Sequence, residues 1–289
     1  MSQTHNLRTN IELPLEDRGI TRLIGRSWDI DKPEGIILVI HGLGEHVGRY
    51  DSFATFFNQR NISVIGFDLP GFGKSPGKRG HGVSIEFMLL CIKAMIDYVT
   101  SNYPQVPLHV FGQSMGGNIA LNYQIQSKDD RIQSYIIGSP WIRTTSEISP
   151  LLIKVARIAS NILPQITKSN DLIVEEISDL PSIVEAYKSD PLVNGRISLG
   201  FGYSMYLAAN QLDVYTGPFN KPTYLAQAEN DKLTSFEATA NFAKRNSSAI
   251  TFKSYPDLKH ELHNSSRSTD VLEAYYAWMI HLTELILLT

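Results

Sequence analysis

Six short apolar runs, separated by longer segments of helical periodicity, constrain this chain more than any other feature. The runs are 36–40 (IILVI), 62–67 (ISVIGF), 108–111 (LHVF), 135–138 (YIIG), 223–228 (TYLAQA) and 251–255 (TFKSY). Unbroken apolar runs of strand length belong in a sheet covered on both faces, the environment of parallel strands. Residues 50–59, 85–99, 116–126, 235–246 and 269–288 fill the gaps with helical patterns. In the clearest of them Ile85, Met88, Leu89, Ile92, Ile96 and Val99 repeat at three–four spacing. Strand–helix alternation predicts an α/β fold with a mostly parallel sheet flanked by helices. Two earlier runs, near 7–13 and 20–28, read as an antiparallel lead-in and bring the strands to eight.

The segment 141–217 breaks the alternation. It offers no convincing core strand, only short helical patterns punctuated by Pro150, Pro164, Pro181, Pro191, Gly195 and Gly217. We read it as a helical cap inserted between core strands 6 and 7, over the strand ends where open α/β sheets bind ligands. Residues 1–140 and 218–289 then form the core.

Hydrophobic content of 43% and charged content of 19% fit a soluble globular chain. A net charge of −3 gives no broad basic footprint, so nucleic acid is not an expected partner. The small cluster Lys74, Lys78, Arg79 and His81 reads as a solvated loop. The single cysteine, Cys91, excludes an intramolecular disulfide, and its apolar surroundings predict a buried, inert thiol. The N-terminal MSQTHNLRTN has no signal pattern, and no stretch reaches the roughly 18–20 apolar residues of a membrane span. The expected location is cytoplasmic, with peripheral contact to a membrane.

Chemistry enters at Gly112-Gln113-Ser114-Met115-Gly116, a G-x-S-x-G pattern between the LHVF strand and a helix of small residues. A serine on so tight a strand-to-helix turn needs small neighbours two residues to either side. The turn lifts its hydroxyl above the sheet at a helix N-terminus, where free amides favour an oxyanion. Serine also needs a base, and the base an orienting acid. In hydrolases with this elbow the chain order is serine, acid, histidine. Of eight histidines only His260, His263 and His281 follow Ser114. His281 lies in the terminal helix pattern. His260 lies in the loop after the last strand and is the expected base, with His263 as alternative. The loop after TYLAQA holds the acid: Asp231 is expected, with Glu229 as rival. The oxyanion hole needs two converging amides, expected from Met115 and, in the loop His41-Gly42-Leu43-Gly44, from Leu43. His41 precedes the serine and reads as a structural residue of that loop.

These residues sit in longer matching stretches. HGLGEHVGRYD (41–51), FDLPGFGKSPGKRGH (67–81), GQSMGG (112–117), SDPLV (189–193) and HELH (260–263) together resemble the monoacylglycerol lipase and lysophospholipase group of α/β-hydrolases. The resemblance implies hydrolysis of acylglycerols to fatty acid and glycerol. It also implies that Glu45, Arg49 and His263 lie at the polar, glycerol end of the site. For Glu45 and Arg49 an internal ion pair fixing the loop is the competing reading. Gln113 stands where the group commonly has histidine, and Pro70 and Phe72 replace the usual Arg and His. These departures bear on which ester is preferred, and we count Gln113 among the substrate-binding residues.

The presumed cap adds a substrate argument. On a helix through 150–167, Lys154, Arg157 and Asn161 form one stripe and apolar residues cover most of the rest. An arc that wide exceeds one buried face, so part of it lines an acyl tunnel or docks on a membrane or micelle. No metal or organic cofactor is implied. Rival readings are a lysophospholipase or broad carboxylesterase, an aminopeptidase-like hydrolase, and a non-catalytic ligand-binding module on the same fold. Dehalogenase and epoxide hydrolase chemistry would need aspartate in place of Ser114.

Overall fold

The computed structural model describes residues 7–17 and 19–287. The N-terminal residues 1–6, Leu288 of the expected terminal helix, and the side chains of 283–287 lie outside this description. Strands β1 (Leu7–Asp17) and β2 (Ile20–Asp29) pair antiparallel, followed by β3 (Gly35–Ile40), helix α1 (Asp51–Asn58), β4 (Ile62–Phe67) and α2 (Ile85–Asn102). Then come β5 (Leu108–Gln113), α3 (Met115–Ser127) and β6 (Ile132–Gly138). After the inserted elements, β9 (Thr223–Ala228), α7 (Phe236–Arg245), β10 (Ile250–Tyr255) and α8 (Ser268–Leu287) complete the chain. Within the insertion lie α4 (Pro150–Ile162), β7 (Thr167–Ser169), α5 (Pro181–Ser189), β8 (Arg196–Ser198) and α6 (Leu199–Val214). Strands β7 and β8 pair only with each other, antiparallel, outside the main sheet.

The main sheet has eight strands in the order β1-β2-β4-β3-β5-β6-β9-β10. Every pair from β4 onward is parallel. Each residue of β3, β4 and β5 is buried, as their unbroken apolar runs require. In β3 the pleat deals Ile36, Leu38 and Ile40 to a core shared with α2, α3 and α7, and Ile37 and Val39 to one shared with α1 and α8. Cys91 is buried in the first core. Strand β6 starts three residues before its apolar run, because Ser134 Oγ meets the ring of His109 on β5 at 2.7 Å and so tolerates the interior.

Strand order reverses at β3, with β4 on one side and β5 on the other. The crevice beyond their carboxyl ends is where such sheets hold ligands. The loop after β3 (41–46) and Ser114 after β5 both open there.

Candidate active site

Ser114 occupies the turn between β5 and α3 at φ 54°, ψ −114°, a sparsely populated region that costs of order 1–3 kcal/mol. The turn closes because Gly112 and Gly116 carry no Cβ. At Gly116 that atom would stand 2.0 Å from the Ile40 carbonyl oxygen, at Gly112 2.7 Å from that of Gly116. Met115 begins α3.

His260 lies in the loop after β10, and its Nδ1–H donates to Asp231 Oδ2 at 2.7 Å. This fixes the tautomer that leaves Nε2 free to accept a proton. Asp231 Oδ2 also accepts from Gln227 Nε2 and the Thr234 hydroxyl, each at 2.8 Å, and Oδ1 from the amides of Leu233 and Thr234. Burial raises the Asp231 pKa, but His260 and these donors more than offset it, so the carboxyl titrates below its usual range. Burial likewise works against a charged His260, and the Asp231 carboxylate outweighs it, so the imidazole titrates above its usual value. The rival acid Glu229 accepts from Ser254, and two aspartates of the 141–217 segment also have other partners: Asp213 pairs with Arg143, and Asp190 accepts from His46.

Ser114, His260 and Leu43 together line two cavities. The larger, about 420 Å³, runs between the core and the insertion over mostly apolar surface from Leu152, Ile153, Ala156, Ile197, Leu199 and Tyr206, among others. The smaller, about 10 Å³, lies against Gly42, Glu45, Gln113, Tyr187 and Glu261. It has room for about one water molecule.

Behind the smaller cavity is a buried charged cluster. Glu45 Oε1 accepts from the Gly42 amide at 2.6 Å and the Tyr50 hydroxyl at 2.9 Å, and Oε2 accepts from Arg49 at 2.6 Å. Arg49 also grips Glu261 with two bonds of 2.6 and 2.7 Å and lies over the Tyr187 ring. Burial opposes the Glu45 charge, yet Arg49 and the Gly42 amide bring its pKa down to about 2. His263 stacks on Tyr50 with ring centroids 5.0 Å apart, and burial pushes its pKa down to about 4.

The structure brings Ser114, His260, Leu43, Glu45 and Gln113 to the cavity walls, with Asp231 behind His260. It does not bring Arg49 or His263 there: both are buried against partners within the chain, Arg49 in ion pairs and His263 among aromatic rings. Gln113 Nε2 donates to the His260 carbonyl at 3.2 Å, holding the loop that carries His260. His41 accepts from the Leu69 amide at 2.9 Å and donates to the Gly42 carbonyl, the structural role its place in the sequence suggested. Glu261 and Tyr187 were missed. Both stand in the motifs quoted above or beside them, but only the tertiary fold reveals that they meet Arg49.

The insertion bonds directly to the loops of the site. The Ile177 carbonyl accepts from the Glu261 amide at 2.7 Å, the Gly44 carbonyl accepts from the Asn194 amide at 2.8 Å, and the Leu233 carbonyl accepts from the Thr145 amide at 3.1 Å. Among the described residues no group of His, Cys, Asp or Glu could hold a metal, and no helix is long and apolar enough to cross a membrane.

Residues 31–267 match the family model described as serine aminopeptidase, S33. An uncharacterized abhydrolase domain-containing protein of Dictyostelium discoideum is 32% identical over 88% of this chain, which spans 27% of that relative's length. The monoacylglycerol lipase of Mycolicibacterium smegmatis is 26% identical over 91% of this chain and 94% of its own. The crystal structure of the Paleococcus ferrophilus monoacylglycerol lipase superposes with a TM-score of 0.82 at 27% identity, covering 90% of this chain and 99% of that one.

Proposed function

Because this chain belongs to the serine aminopeptidase S33 family of α/β-hydrolases, we propose that it is a serine hydrolase that cleaves monoacylglycerols to fatty acid and glycerol, with Ser114, His260 and Asp231 as its triad. The observation that carries the reading is the His260–Asp231 pair beside Ser114 on the wall of a large, mostly apolar cavity. An acyl chain fits such a cavity, and an ester carbonyl then meets the serine at its polar end.

In this scheme His260 Nε2 takes the Ser114 proton as Oγ attacks the ester carbonyl carbon. The tetrahedral oxyanion is held by the amides of Met115 and Leu43. Leu43 is favoured over Gly42 because the Gly42 amide is already occupied by Glu45. The C–O bond breaks, glycerol leaves with the proton from His260, and the acyl group stays on Ser114. Water then attacks, giving one proton to His260, which returns it to Ser114 as the fatty acid departs. Glu45, Arg49 and Glu261 act by holding the oxyanion loop to the base loop.

Residues 141–217 serve as the cap. The exposed side chains of Leu151, Val155, Ile158 and Ile162 on α4 support peripheral docking on a lipid surface, from which the substrate would enter. An aminopeptidase would need a carboxylate free to hold the substrate's amine. The two beside the smaller cavity, Glu45 and Glu261, are both engaged by Arg49, and by Gly42, Tyr50 and Asn264. On the larger cavity Asp171 pairs with Lys168, and Glu147 stands in a wall that is mostly apolar, which favours the ester reading.

The test is a panel of monoacylglycerols, lysophospholipids, p-nitrophenyl esters and aminoacyl amides against purified protein. Monoacylglycerols should give the highest kcat/KM, and Ser114→Ala should lower it by at least about 10⁴-fold with the fold intact. Aminoacyl amides turning over faster than any ester, or Ser114→Ala retaining activity, would overturn the proposal.

A further inference from the structure

Helix α6 contains two glycines, and they are there for different reasons. A glycine within a helix is worth roughly 1 kcal/mol less than alanine, so one that stays calls for an account. At Gly200 the account is steric: an added Cβ would stand 2.7 Å from Pro164 Cβ and 2.8 Å from its carbonyl oxygen. At Gly202 there is no such need. The nearest atoms to an added Cβ are Ile197 Cδ1 at 3.4 Å and Cγ1 at 3.6 Å, ordinary contact distances, and the residue has no positive φ.

What Gly202 does face is the large cavity. It lines the wall with Leu199 and Tyr206, its neighbours at i−3 and i+4 on the same helix face. Helix α4 packs on α6 and supplies Leu152 and Ala156 to the same cavity. A side chain at position 202 would project into this space without displacing backbone.

We propose that Gly202 is a specificity-determining residue: its missing side chain sets the length of acyl chain that the cavity accepts. The inference rests on the ester-hydrolase reading above and extends it to chain length. In a close-packed site a side chain excludes about its own complement of carbons, so leucine at 202 should shorten the preferred chain by roughly four carbons.

The experiment compares Gly202→Ala and Gly202→Leu with the parent protein. It uses monoacylglycerols of eight to eighteen carbons and, in parallel, p-nitrophenyl esters of the same chains, which share no head group with them. The ratio of kcat/KM for the eight-carbon to the eighteen-carbon substrate should rise about 10-fold or more in Gly202→Leu, and by less in Gly202→Ala. Gly202→Ala should also melt about 1–2 °C higher, which is expected if glycine is not there for the helix and certifies a folded protein for the comparison. An unchanged ratio in folded Gly202→Ala and Gly202→Leu, or an equal loss at every length, would overturn the inference. If the parent protein ignores monoacylglycerols but the ratio shifts on p-nitrophenyl esters, the substrate proposal fails while the role of Gly202 stands.

Discussion

Asp231 collects five hydrogen bonds on one carboxylate, and that surplus of donors is what lets a buried acid stay ionised beside a buried imidazole. The chemical consequence is a pH profile. In the proposed mechanism His260 works as a base only when neutral; burial lowers its pKa, but Asp231 outweighs burial and holds it above the usual imidazole value. The acid limb of kcat/KM on a soluble p-nitrophenyl ester should therefore have its midpoint above about 6.5. Asp231→Asn should lower kcat by about 10⁴-fold and move that midpoint down, since the charge that lifted it is gone. An acid limb that stays in place in Asp231→Asn would mean another group sets it. Much of this pairing was legible in the chain, because a loop after each of two strands offered only a few candidates. Glu45 and Arg49 were not: sequence left them between substrate contact and ion pair. The second carboxylate that engages Arg49, that of Glu261, lies 212 residues away.

Helix α4 shows the same limit at the scale of an element. Its arc of apolar residues was visible in sequence, but which of them the rest of the chain would cover was not. The structure turns Leu152, Ile153 and Ala156 to the large cavity and leaves Leu151, Ile158 and Ile162 at 70, 61 and 69% exposure. No acidic residue interrupts 148–170, which carries Lys154, Arg157 and Lys168. Each large apolar side chain moved from water into a lipid surface contributes about 1.5–3 kcal/mol. The double change Ile158→Ser, Ile162→Ser should thus cut binding to phospholipid vesicles by about 100-fold or more in co-sedimentation. Turnover of vesicle-borne monoacylglycerol should fall with it, while a soluble short-chain ester should not register the change. Equal losses on both substrates would place those residues in the cavity wall. By contrast β3, β4 and β5 were legible almost to the residue, because strands buried on both faces leave no choice of side chain.

For the molecule as a whole, several titrating groups are buried in one charge state, and their sum sets how stability varies with pH. Burial depresses the pKa values of His41, His81, His109 and His263, to about 3 for His109 and about 4 for His263. In the unfolded chain these rings take up a proton near pH 6.5. Between pH 6.5 and their folded values the unfolded state therefore binds more protons, and stability falls as pH falls. Glu45 extends the trend: its folded pKa of about 2 lies below its unfolded one, so its contribution, present above about pH 4.3, is lost below that. His260 runs the other way. Raised when folded, it adds stability below pH 6.5 that disappears as pH rises through its folded value. Four depressed rings against one raised ring leave a net loss on acidification, at about 1.4 kcal/mol per pH unit for each proton of difference. Urea midpoints should accordingly decline steadily from pH 7 to pH 4. His263 is the ring to remove, because it sits among Tyr50, Phe53 and Phe111, where a phenyl group of similar shape packs without a proton to bind. In His263→Phe the decline between pH 6.5 and 4 should be shallower by about one proton's worth, with His109, His41 and His81 supplying the remainder. A slope unchanged in His263→Phe would mean that this ring is neutral in both states or charged in both, contrary to its burial.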